Sequence, residues 1–145
     1  MANLSPEPEA RRVPEPRTRR LLRRFVPLWL AGVGIGSFLP GSWKLAIGTR
    51  PYTQSHFVDP QHRVLHIVTF GFTALLLMLL FDRARDRAKA AFGALLFGGA
   101  IEVMQFVTGL AAVFEWWDLR DDFFGIAATW AAVELVSGRI RLRRK

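Results

Sequence analysis

The stretch LLFGGAIEVMQFVTGL, Leu95 to Leu110, decides how this chain is read. It is apolar except for Glu102, Gln105 and Thr108, and it continues a run that begins near Ala90. About 20 apolar residues on a helix cross the hydrocarbon core of a bilayer. A carboxylic acid inside such a run must face protein or a water-filled cavity, because a charge left in lipid costs about 3 kcal/mol or more. On one helix Gly98, Glu102, Gln105 and Gly109 step by four, three and four, so they share a stripe. The stretch therefore implies a membrane helix that turns one polar, small-residue face toward other helices.

Three more apolar runs surround it: FVPLWLAGVGIGSFL (Phe25 to Leu39), VLHIVTFGFTALLLMLLF (Val64 to Phe81) and FFGIAATWAAVELV (Phe123 to Val136). The first is lengthened by Leu21 and Leu22 with Arg23 and Arg24 snorkelling, and the last needs residues before Phe123 to reach full length. Continuous runs demand helices rather than the alternating strands of a barrel. The expectation is an all-α integral membrane protein with four transmembrane helices in a compact bundle. GVGIG lacks the preceding strand of a dinucleotide fingerprint, so Gly32 and Gly36 read as a GxxxG packing pair. Ala94 with Gly98, and Ala128 with Ala132, repeat that spacing.

The charges sort between the runs. The net charge is +8 and the pI near 11.4, yet 16 of the 20 basic residues lie in the arm before Phe25, the link DRARDRAKA and the tail after Ser137. Lys44, Arg50, Arg63 and Arg120 are the remainder. That is a topology signal, and it argues against nucleic acid as a partner. Both termini are expected in the cytoplasm of a multipass protein of the plasma (inner) membrane, with 40–63 and 111–122 facing out and Trp43, Trp116 and Trp117 at the outer interface. Residues 1–24 read as a disordered basic cytoplasmic arm rather than a secretory signal, and 138–145 as a basic cytoplasmic tail. The chain has no cysteine, which excludes disulfides and thiolate chemistry.

Two further stripes repeat the four-three-four step: His62, His66, Thr69 and Thr73, and Asp118, Asp122, Gly125 and Thr129. All three are expected to meet at one depth in the outward half of the bundle. Glu102, Asp118 and His66 are the candidate catalytic groups. His62, Arg63, Gln105, Arg120 and Asp122 are the candidate binding groups. Asp118 also suits a helix N-cap. Glu134 points to the opposite face and is expected to pair with Arg139 or Arg141. No Ser or Cys nucleophile sits with a base. His62, His66, Asp118 and Asp122 are of the type that holds Zn²⁺ or Mn²⁺, but no HExxH-like spacing supports them, so no metal and no cofactor are expected.

The order of these elements resembles the VanZ-like proteins, small bacterial multipass membrane proteins named after a teicoplanin-resistance accessory factor. That family has an Asp-Lys-x-x-His element leading into a span, Glu-x-x-Gln in a later span and Asp-x-x-x-Asn-x-x-Gly entering the last. HRVLH supplies His66, with His62 and Arg63 in place of aspartate and lysine; EVMQ supplies Glu102 and Gln105; DLRDDFFG supplies Asp118 and Gly125, with Asp122 in place of asparagine. An arginine common before that aspartate is absent, and Glu115 with two tryptophans occupies the region. The resemblance implies that 25–137 form one VanZ-like membrane domain with its polar residues near the outer leaflet. Two functions then stand open. One is non-catalytic binding of a lipid-linked envelope precursor or lipophilic glycopeptide, besides bilayer lipid. The alternative is an enzyme on such a lipid-linked substrate, with Glu102 or Asp118 as general base. Oligomeric state has no signature.

Overall fold

The computed structural model describes residues 17–39, 60–111 and 114–142, the last four of these by backbone alone. They form four helices: α1 (Arg17–Ser37), α2 (Pro60–Met78), α3 (Ala84–Val107) and α4 (Trp116–Leu142). No strand occurs among the described residues. Trp43, Lys44, Arg50 and residues 1–16 lie outside them.

α1 begins at Arg17, so Arg17 to Arg24 of the expected arm are helical. The reason is local and tertiary at once. Leu and Arg are good helix formers, and an ion pair from Arg19 to Asp82 ties this first turn to the end of α2. α3 stops where Gly109 adopts φ +73°, a conformation that favours glycine. Gly109 is thus a helix terminator rather than a member of a packing stripe. Asp118 lies in the first turn of α4 and not at its cap, where a carboxylate still meets the positive end of the helix dipole.

Contacts at the helix ends define the topology. Arg19 near the start of α1 meets Asp82 after α2, and Gln105 near the end of α3 meets Ser37 at the end of α1. His62 in the first turn of α2 meets Asp118 in the first turn of α4. The chain therefore runs up, down, up, down. α2 is the hub, packed against each of the other three helices and most extensively against α4.

Phe70, Ala74 and Met78 of α2 form the core with Ala91, Ala94 and Ile101 of α3 and Ile126 of α4. Two glycines set the approach. A Cβ on Gly125 would sit 2.1 Å from the Ile67 carbonyl oxygen, and one on Gly98 would sit 2.7 Å from Asp122 Oδ2 and 2.9 Å from Phe70. By contrast no described residue lies within 4 Å of a Cβ at Gly32 or Gly36, so that GxxxG pair makes no close approach to the described helices. α1 is held instead by polar ties: Trp29 Nε1 donates to Thr73 Oγ1 at 2.9 Å with its ring edge-on to Phe72, and Gln105 Nε2 donates to Ser37 O at 2.8 Å.

Among the described residues one helix, Ala84–Val107, is long and apolar enough to cross a membrane by length and composition. α1 begins with a run of arginines, α2 opens on Gln61, His62 and Arg63, and Leu79 to Phe81 lie beyond the end of α2. The apolar runs of the sequence and the helices thus coincide only in part.

Candidate functional site

The cluster is built where the first turns of α2 and α4 cross. His62, Arg63 and His66 occupy one side of α2; Asp118, Asp121 and Asp122 occupy one side of α4 by the same i, i+3, i+4 logic. Glu102 of α3 and Glu115, just before α4, complete it. His62 Nε2 lies 3.0 Å and His66 Nε2 3.5 Å from Asp118 Oδ2. His66 Nδ1 lies 2.8 Å from Asp122 Oδ1. Arg63 Nε donates to Asp121 Oδ2 at 2.9 Å, and Arg120 Nε and Nη2 donate to Asp121 Oδ1 at 3.0 and 2.8 Å. Arg120 also stacks over Trp117, 4.7 Å from the ring centroid.

Burial separates a floor from a rim. Glu102, Asp118, Asp121 and Asp122 are each at most 3% exposed, whereas the Arg63 and Arg120 side chains are 45% and 34% exposed. A buried carboxylate persists only when paired or protonated. Burial pushes the Glu115 carboxyl up to about 8, and its hydrogen bond to Asp118 and the negative charges of Asp118 and Glu102 push it further in that direction. Asp118 faces His62 and His66, and Glu115, which keeps its proton, donates a hydrogen bond to it. Asp121 is paired with Arg63 and Arg120.

No family model matches the chain, and no curated protein or solved structure matches it. Its chemistry has to be read from the site itself.

The structure brings together seven of the eight candidate residues: His62, Arg63, His66, Glu102, Asp118, Arg120 and Asp122. Gln105 is not among them; it is turned to α1, and its amide serves as an interhelical tie. Two residues of the cluster were not singled out from sequence. Asp121 anchors both arginines, and its signal was present in the i, i+3 spacing from Asp118. Glu115 precedes the helix and has no periodic signature, so only the fold brings it in. Glu134, away from this site, pairs with Arg87, Nε to Oε1 at 2.7 Å and Nη2 to Oε2 at 2.8 Å. The expected partners Arg139 and Arg141 lie where only backbone is described.

Proposed function

We propose that this chain is a VanZ-like multipass protein of the plasma (inner) membrane, with four spanning helices and both termini cytoplasmic. Its outward-facing polar cluster binds an anionic envelope component, a lipid-linked precursor or a lipophilic glycopeptide. The observation that carries the reading is the two-level cluster: arginines at the rim, buried carboxyl and imidazole groups beneath, at the end of the bundle opposite the arginine-rich link. Arg63 and Arg120 are half-exposed members of the cluster, so a phosphate or carboxylate head group approaching it meets guanidinium N–H donors first. Exposed apolar side chains on every helix, among them Leu28, Ile35, Val68, Leu96, Val107 and Leu135, suit contact with acyl chains better than with water.

The test is co-purification. Full-length protein extracted in mild detergent should carry an envelope lipid that mass spectrometry identifies, and Arg63→Ala with Arg120→Ala and Asp121→Asn, which leaves no buried carboxylate without its partner, should remove it. Wild-type protein that carries only bulk membrane lipid contradicts the binding reading.

One arrangement favours the second reading, an enzyme on the same substrate. His66 is backed by Asp122 and faces Asp118, which is a general acid–base geometry. Asp118 or Glu102 would act as base and Arg63 would hold the phosphate. Turnover of the co-purified lipid on incubation distinguishes it from simple binding.

A further inference from the structure

His62 and His66 leave successive turns of α2 with ring centroids 4.7 Å apart. Their Nε2 atoms converge on one oxygen, Asp118 Oδ2. One donor atom from each of these three residues lies within 4.8 Å of the others, and Glu102, Glu115 and Asp118 form a second such triad.

Asp122 holds His66 from behind through Nδ1. A carboxylate on one ring nitrogen fixes the tautomer and orients the other nitrogen, the arrangement that supports metal-binding imidazoles. With Nδ1 directed at Asp122, Nε2 of His66 faces Asp118 Oδ2 at 3.5 Å, and what makes that approach favourable is a positive species between them, the second imidazole proton or a metal cation in its place.

A separate observation points to an unmet demand for positive charge. Asp122 Oδ2 is fully buried and accepts no hydrogen bond. It is directed toward α3 beside Gly98, whose missing Cβ leaves it room. Glu102 follows Gly98 one turn later on that helix.

We propose that His62, His66 and Asp118 bind a divalent transition-metal cation of the zinc type, with Asp122 as the positioning residue for His66. Two imidazole nitrogens and one carboxylate oxygen are the donors such an ion takes in sites that keep a position for water or a substrate oxygen. The inference goes beyond the binding reading above, because it stands on the cluster's own geometry whatever the envelope ligand is.

The experiment uses the full chain, without a polyhistidine tag, in mild detergent and stripped by chelator. Zn²⁺ alone is titrated by calorimetry, and retained metal is measured after desalting. Wild type should retain one ion per chain. His66→Ala and Asp118→Asn should retain none, and half-exposed His62→Ala should bind at least tenfold more weakly. Asp122→Asn should weaken affinity by about 10–100-fold yet reach the same stoichiometry at saturation, which a merely structural lesion would not do. Arg19→Ala should bind as wild type. Circular dichroism and gel filtration establish that each variant is folded. Folded wild type that takes up no Zn²⁺ overturns the proposal and leaves protons as the positive charge of the cluster. Uptake that His66→Ala and Asp118→Asn leave unchanged overturns it too, because the ion then sits elsewhere. Both results leave lipid co-purification standing, so the two ideas fail separately.

Discussion

The two ends of the bundle both carry ionic contacts between helices, but their composition differs. At the link end Arg87 meets Glu134 through two parallel hydrogen bonds and Arg19 meets Asp82. Glu134 and Asp82 each have an arginine there, and Asp86 has Lys89. At the other end five acidic side chains, Glu102, Glu115, Asp118, Asp121 and Asp122, stand among two arginines and two histidines of the described residues. The matched end has the form of a clamp. The acid-rich end costs stability to assemble and holds protons at unusual places, as sites with a task do. A buried pair by itself says little about function; the composition around it says more.

The comparison can be broken most forcefully at the helix crossing that builds the acid-rich end. Gly125→Ala places a Cβ 2.1 Å from backbone oxygen, which no side-chain rotation relieves. It should separate α2 from α4 and lower stability by about 3 kcal/mol or more, read as loss of the folded fraction on gel filtration. Gly32→Ala meets none of the described residues and should melt no lower than wild type. A normal melting temperature for Gly125→Ala would mean that the two helices are not this close.

Next comes the clamp. Arg87→Met strands the Glu134 carboxylate and should cost about 3 kcal/mol in thermal unfolding of detergent-purified protein. Adding Glu134→Leu should recover most of that loss, since an apolar pair needs no countercharge. Failure of the double variant to recover would show that the clamp does more than hold.

The two glutamates then separate the ends by kind of effect. Glu134→Gln should lower the melting temperature, a loss of about 1–2 kcal/mol, and leave bound envelope lipid unchanged. Glu102→Gln should melt near wild type and abolish the phenotype conferred by the gene. The opposite pattern would move the site to the clamp end.

The ends also differ in pH dependence. Folded Glu115 keeps its proton up to about 8, whereas the unfolded chain releases it near the ordinary 4.5. Between these values the unfolded state binds fewer protons, so stability falls as pH rises through that window. Glu115→Gln should flatten this slope in melting curves taken from about pH 5 to 8. An unchanged slope would place the proton elsewhere.

Much of the acid-rich end was legible in the sequence. His62, His66, Glu102, Asp118 and Asp122 meet because equal spacing on helices of regular pitch puts them on facing stripes. Gln105 shared the stripe of Glu102 yet went to Ser37, because a stripe is wide enough to touch two neighbours and only the packing of α1 chooses between them. Arg87 and Glu134 were not legible as partners: they are far apart in the chain, and nothing local marks the crossing of α3 and α4. The glycines divide in the same way. Spacing found Gly32 with Gly36 and Ala94 with Gly98 alike, but among the described residues only the second pair has a helix against it.

The central claim is that the acid-rich cluster lies on the outer side of the membrane and the matched clamp on the inner side. The chain has no cysteine of its own, so single substitutions at exposed Ala88, in the clamp end, and exposed Leu110, near the cluster, give clean reporters. An impermeant thiol reagent added to intact spheroplasts should label Leu110→Cys at once and Ala88→Cys only after lysis. Labelling of Ala88→Cys in intact cells, with Leu110→Cys protected until lysis, would contradict the account.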